Sequence, residues 1–242
     1  MIGDTREGHE VIILAGGLGT RLRGAIDALL PKCMAPINGK PFLYYLFLYL
    51  EQQQVQQVIL SLGHHHEAIL DWANPEDWPF KIQFVIEKES LGTGGGIQLA
   101  LQSAKNEATI VLNGDTLFTV DLDSFMRFHL MNEADTSLAL KPMKQIDRYG
   151  IIDIAENGCI RSFKEKTLQA SGLINGGVYI LKRNKFLQLG LPERFSFEKN
   201  YLESYVSDGN MYGFISNAYF IDIGIPEDYN KAIADFKNIF TV

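Results

Sequence analysis

The chain has 242 residues, 46% of them hydrophobic and 21% charged, enough for a sizeable core in one large domain. Its formal charge of −7, from 22 basic against 29 acidic residues, argues against an extended nucleic-acid footprint and requires any anion site to be built locally. No apolar run reaches membrane-spanning length, and two cysteines, Cys33 and Cys159, are too few for a disulfide framework or a zinc cluster.

The polar start "MIGDTREGHE" has no hydrophobic signal core, so residues 1–10 are expected to form a flexible extension and the protein to stay in the cytoplasm. "EVIILAG" then reads as a buried strand ending in glycines. "KPFLYYLFLYLEQQQ" reads as a helix whose aromatic run packs in the core, with part of it available for a homodimer contact. "VQQVILSLG" is a strand, "HHHEAILDWA" a helix, "KIQFVIE" a strand and "GGGIQLALQSAK" a helix. "ATIVLNGDT" is a strand ending at a glycine-acid turn, and "DLDSFMRFHLMNEA" is a helix. The alternation predicts an α/β fold, a single Rossmann-like domain with a mixed, mostly parallel sheet and its ligands at the carboxyl ends of the strands. The glycine segment and "NGDT" both stand at such ends, so they are expected to share one crevice.

From Asp135 the pattern turns to short β-rich runs: "TSLALKPM", "YGIIDIAENGCIRSFKEK", "INGGVYIL", "MYGFIS" and "NAYFIDIG". Asn157-Gly158 marks a hairpin. "FEKNYLESYV" and "PEDYNKAIADFKNIF" read as helices, the second opening on Pro226 with acids in its first turn. No Pro-, Gly- or Ser-rich linker interrupts the chain. The expectation is one domain over 11–242, with an alternating half over 11–134 and a β-rich half over 135–242.

The chemistry-bearing stretch is "ILAGGLGTRLRGAIDALLPKCMAPINGKP", a glycine turn followed by Arg21 and Lys32, which together suit a phosphate. The dinucleotide fingerprint G-x-G-x-x-G fails, because Leu22 stands at its third glycine. The P-loop pattern fails as well, because Ala25 and Ile26 follow Gly24. A glycine turn alone is equally a structural device. Asp115 of "NGDT" suits Mg²⁺, or else caps the turn that follows it. The run His64, His65, His66 reads as exposed polar residues rather than a metal site. "DLD" at Asp121 to Asp123 has the spelling of a glycosyltransferase metal motif but reads as a helix start.

Seven segments in order, "LAGGLGTRL…PKCMAPINGKP", "LGTGGGI", "NGDT", "RYGIIDI", "FKEK", "INGGVYIL" and "FIDIGIPEDYNKA", resemble the sugar-1-phosphate nucleotidylyltransferases over nearly the whole chain. The resemblance implies the nucleotide-diphospho-sugar transferase, GT-A-like fold, with nucleotide bound by 11–134 and sugar phosphate by 135–242. It implies an NTP and a sugar 1-phosphate as substrates, Mg²⁺ as cofactor, and neither nucleic acid nor membrane as partner. Leu14, Ala15, Gly16, Gly17, Gly19, Thr20, Arg21, Gly92 and Thr93 would bind the nucleotide. Arg21, Lys32, Asp115 and Asp222 would be catalytic, the two aspartates as the metal ligands. Gly150, Glu165, Lys166 and Asn175 would bind the sugar phosphate. Glu165 and Lys166 are neighbours, so their facing one ligand requires a turn or bulge. The loop between Arg21 and Pro31 departs from the family by an extra residue, and Gly24 stands where a proline is common. Within the family, "LPKCMAPINGKPFL", "LGTGGGI", "INGGVYIL" and "FIDIGIPEDY" most resemble the D-glycero-α-D-manno-heptose 1-phosphate guanylyltransferases, implying GTP as donor and a GDP-heptose for surface glycans. The alternatives are a mannose-1-phosphate guanylyltransferase, a short uridylyl- or cytidylyltransferase, or a non-catalytic nucleotide-binding subunit.

Overall fold

A computed structural model describes residues 8–17, 30–164, 168–208 and 210–240. β1 (Glu10–Leu14) is followed by a short ribbon, β2 (Pro36–Ile37) and β3 (Lys40–Pro41), and by helix α1 (Phe42–Gln52). The alternation continues with β4 (Gln57–Leu62), α2 (Glu67–Trp72), β5 (Lys81–Ile86), α3 (Gly92–Leu101) and β6 (Ala108–Asn113). β7 (Thr116–Phe118) and α4 (Leu122–Met131) lead to β8 (Thr136–Ile146), β9 (Ile151–Ile154), β10 (Ile160–Lys164) and β11 (Gln169–Lys182). Then come α5 (Arg183–Gln188), a π-helical turn over Phe197–Leu202 running into α6 (Glu203–Tyr205), β12 (Met211–Ile215), β13 (Phe220–Asp222) and α7 (Pro226–Ile239).

The main sheet runs β10-β9-β11-β6-β1-β4-β5, with β8 paired to β11 and β12 to β8. It is mixed: β6, β1, β4 and β5 are mutually parallel, and β11 joins them antiparallel along β6. Both faces of the parallel centre are covered, so Val11, Ile12 and Ile13 are fully buried and the strand reads as an unbroken apolar run. One face packs on α1, α4 and α7, and the other on α3, α5 and the π-helical turn. Phe236 of α7 lies 6.0 Å from Phe42 and 4.6 Å from Tyr45, tying the end of the chain to the first half. Burying one such ring contributes roughly 2–3 kcal/mol.

Two local readings are met in detail. Gly158 takes a φ of +83° in the β9–β10 hairpin, which favours glycine there. Asp121 caps α4 by accepting the Ser124 N–H at 2.7 Å, so "DLD" is a helix start. The histidine run forms the turn before α2, and among the described residues no group of three or more His, Cys, Asp or Glu is placed to hold a metal. The expected extension over 1–10 is corrected at its end. Glu10 already belongs to β1, His9 lies 2.7 Å from Asp123, and the Gly8 carbonyl accepts from Asn106. Residues 1–7 lie outside the described residues. Helix α5 was not anticipated, because "RNKFLQ" is polar and only one and a half turns long.

One buried group sets an acid limit on the fold. His129, 3% exposed, places Nδ1 2.9 Å from the Ser137 hydroxyl. Burial, aided by nearby Lys182, pushes its pKa from 6.5 down to about 4. The unfolded chain therefore takes up a proton as pH falls through 6.5, while the folded chain resists until about 4. Stability contributed by the neutral ring is full above pH 6.5 and lost by pH 4, at roughly 3 kcal/mol in all. Urea unfolding from pH 7 to 4 is expected to show this slope, and His129→Gln to flatten it. An equal slope in the variant would exclude His129 as its source.

Candidate active site

Segments distant in sequence converge at the carboxyl edge of the parallel strands. β6 ends at Asn113, and the Gly114 N–H donates to the Leu14 carbonyl of β1 at 3.0 Å. A Cβ at Gly114 would come within 2.4 Å of that oxygen, so only glycine lets the turn lie against β1. Asp115 is thereby presented beside the first strand. β13 pairs antiparallel with β7, setting Asp222 opposite Thr116, and the Ile223 N–H donates to the Asp115 carbonyl at 3.0 Å. The two aspartates are thus brought to one corner. Lys32 joins them from the turn after Pro31, where its backbone N–H donates to the Gly17 carbonyl at 3.2 Å. Its Nζ lies 2.5 Å from Oδ2 of Asp115 and 3.5 Å from Oδ1 of Asp222.

The electrostatics of this corner are unbalanced. Among the described residues, two carboxylates face one ammonium. Burial first, and Asp115 second, raise the Asp222 carboxyl above its ordinary range, with Lys32 partly offsetting them. Oδ1 of Asp222 also accepts the Gly224 N–H at 2.7 Å, and Thr116 donates to Oδ1 of Asp115 at 3.2 Å. Hard oxygen donors with a deficit of positive charge fit Mg²⁺, which takes one or two carboxylates and completes its shell with phosphate oxygens and water. Cys33, beside Lys32, is no competitor. Burial pushes its thiol up to about 12, and its Sγ lies 3.9 Å from the Ala15 carbonyl.

Two clefts meet here. The smaller, about 330 Å³, is lined by Leu14, Gly16, Gly17, Gly92, Thr93 and Asp115, among others. The larger, about 740 Å³, includes Gly150, Asn175 and Asp222 in its lining. Asn113 and Glu198 belong to both linings. Ala15, expected at the nucleotide, does not line either cleft. It is 2% exposed and donates its N–H to the Ser61 carbonyl at 2.9 Å. Gly19, Thr20, Arg21, Glu165 and Lys166 lie outside the described residues, as does most of the loop between Arg21 and Pro31.

The "LGTGGGI" segment divides its work. Gly94 and Gly95 pack against the Phe195 ring and the Glu193 carbonyl, as a glycine-rich helix start does for close packing alone. Gly92 and Thr93 face the smaller cleft, and the Thr93 hydroxyl donates to Glu198 at 3.0 Å while accepting the Phe197 N–H at 2.9 Å.

Several lining residues were not singled out in the sequence. Glu87, just past β5, accepts the Leu91 N–H on Oε2 at 3.0 Å, and burial raises its carboxyl. A Cβ on Gly96 would lie 2.7 Å from its Oε1, so glycine there leaves the carboxylate its place in the cleft wall. Its signal was position: it follows the last residue of a parallel strand at the carboxyl edge, on the way to the glycine-rich turn. Glu198 and Lys199 come from the π-helical turn, a helix irregularity that often marks a functional site. Arg148, next to Tyr149 and Gly150, lines the larger cleft and is held by Asp228 at 2.8 Å.

The nucleotidyl transferase family profile matches residues 10–238. The chain is 49% identical, over 95% of its length and 99% of the relative's, to the D-glycero-alpha-D-manno-heptose 1-phosphate guanylyltransferase of Aneurinibacillus thermoaerophilus. It is 46% identical to the enzyme of the same name from Campylobacter jejuni, over 91% of this chain and 96% of that one. The crystal structure of HddC from Yersinia pseudotuberculosis superposes with a TM-score of 0.85 at 42% identity, covering 94% of this chain and 99% of HddC. The same protein complexed with GMP-PN gives a TM-score of 0.84.

Proposed function

The chain belongs to the nucleotidyl transferase family, and from that premise we propose that it transfers the guanylyl group of GTP to D-glycero-α-D-manno-heptose 1-phosphate in the cytoplasm, giving GDP-heptose and pyrophosphate. The observation that carries the reading is the placement of Lys32, Asp115 and Asp222 where a cleft of about 330 Å³ meets a larger one. The specific donor and acceptor are supported by relatives at 49% and 46% identity that carry that name, and by HddC complexed with GMP-PN. Glu87 adds a physical reason. Guanine presents two kinds of donor, N1–H and N2–H₂, on its pairing edge, and a carboxylate accepts from both.

In this reading residues 11–134 hold the nucleotide and 135–242 the acceptor. An oxygen of the sugar phosphate attacks the α-phosphorus of GTP, the bond to the β-phosphate oxygen breaks, and pyrophosphate departs with the charge. Lys32 neutralises the α-phosphate, and Arg21 holds the β- and γ-oxygens and then the leaving group. Asp115 and Asp222 would hold Mg²⁺, which when bound would supply positive charge to offset the two anionic reactants. Lys166 binds the acceptor phosphate, while Glu165, Asn175 and the Gly150 backbone orient the sugar hydroxyls. Asn175 is prepared for this, since it donates to the Tyr179 hydroxyl at 2.9 Å and accepts the Gly177 N–H at 3.0 Å. The half-buried Tyr44 and Leu48 of α1, rather than its buried aromatic rings, would serve a homodimer contact.

Pyrophosphate release over a panel of four NTPs against heptose, mannose and glucose 1-phosphates tests the reading. GTP with the heptose phosphate is expected to give the highest kcat/KM. A maximum with mannose 1-phosphate would replace the acceptor, and one with UTP or CTP would replace the donor. GTP binding without turnover on any acceptor would favour a regulatory subunit.

A further inference from the structure

The ammonium of Lys32 stands where a cation shared by the two aspartates would stand. It makes a 2.5 Å contact with Asp115 and a 3.5 Å contact with Asp222, and its side chain is 15% exposed. Lys32, Asp115 and Asp222 together carry one net negative charge. A divalent cation added beside the unmoved lysine would set two positive centres within a few ångströms of each other. One site cannot hold both without loss. The lysine's backbone is anchored by its N–H bond to Gly17 and by the buried Cys33 beside it, so its flexible four-carbon stem is what can move.

We propose that Lys32 is a built-in counter-ion that fills the metal position of the Asp115–Asp222 pair in the nucleotide-free protein, so that a divalent cation enters only when a polyphosphate draws the ammonium away. This rests on the reading of the two aspartates as metal ligands. The lysine then has two stations, the aspartates and the α-phosphate, and one anion moves it between them. Nucleotide and metal binding become coupled by linkage: whatever favours one station favours both ligands. The empty enzyme also keeps its carboxylates paired rather than mutually repelling.

The test is Mn²⁺ binding to the nucleotide-free full chain, followed by the loss of the free-ion electron paramagnetic resonance signal. Lys32→Met, nearly the same shape without the charge, is expected to bind Mn²⁺ at least about 30-fold tighter than the wild type, the effect of removing one unit charge about 4 Å from a divalent ion at the dielectric of water. Mn²⁺ is also expected to raise the unfolding midpoint of the variant more than that of the wild type. Lys32→Gln, a polar replacement, is expected to show the same gain if the methionine variant folds poorly. Adding Asp115→Asn to Lys32→Met is expected to abolish the tight binding. If neither neutral replacement tightens Mn²⁺ binding while Asp115→Asn still weakens it, the counter-ion role is overturned and the aspartate pair stands. If the tightening persists with Asp115→Asn, the cation sits elsewhere and both readings fall.

Discussion

Asp115→Asn is expected to lower kcat by about 10³-fold at saturating substrates, with the unfolding midpoint changed by only a few degrees. The reacting partners are both anions, and the leaving pyrophosphate gathers more charge, so the barrier depends on placed positive charge more than on covalent chemistry. An asparagine keeps the shape and the Thr116 contact but contributes no charge to a cation at this corner. The fold does not depend on that charge, because the turn is held by backbone bonds, Gly114 to Leu14 and Ile223 to Asp115. Pyrophosphate release and thermal unfolding measure the two halves of the prediction. A near-normal rate would exclude the metal role, and a collapsed midpoint would mean that the residue is structural.

The second large effect concerns the base. Glu87→Gln is expected to reduce the preference for GTP over ATP and UTP, as a ratio of kcat/KM, by about 10²-fold. A carboxylate accepts from both guanine donors at once. A carboxamide turns an N–H₂ toward one of them, exchanging a charge-assisted bond for a clash of donors. The local fold should survive, since a glutamine carbonyl oxygen can still accept the Leu91 N–H that Glu87 holds at 3.0 Å. An unchanged ratio would remove Glu87 from base recognition and return that task to the backbone around Gly92.

Much of the fold was legible because its causes are local. Apolar runs ending at glycine mark β1, β4 and β6, the short run "KIQFVIE" marks β5, Asn157-Gly158 marks the hairpin, and Pro226 with Glu227 and Asp228 marks the start of α7. Asp115 was legible as a candidate because it follows a buried strand at its carboxyl end. Helix α5 and the β7–β13 ribbon were harder to see, since a short polar helix and a three-residue strand depend on what packs over them. Ala15 lies between two cleft-lining residues but gives its N–H to the sheet, a distinction that a motif, which names a segment, does not make. Glu87, Glu198 and Lys199 look in sequence like ordinary charges near element ends, and only their place in the cleft walls distinguishes them.

By itself the sequence determined the alternating α/β plan, the turns that end the strands, and the inventory of charges able to serve two phosphates. Those follow from side-chain periodicity and turn chemistry, which act between near neighbours. Tertiary structure alone decided that Asp222 stands beside Asp115, that Lys32 lies between them, and that Glu87 lines the smaller cleft. Such meetings depend on β13 pairing with β7 and on backbone bonds between residues far apart in the chain, and no local pattern encodes them.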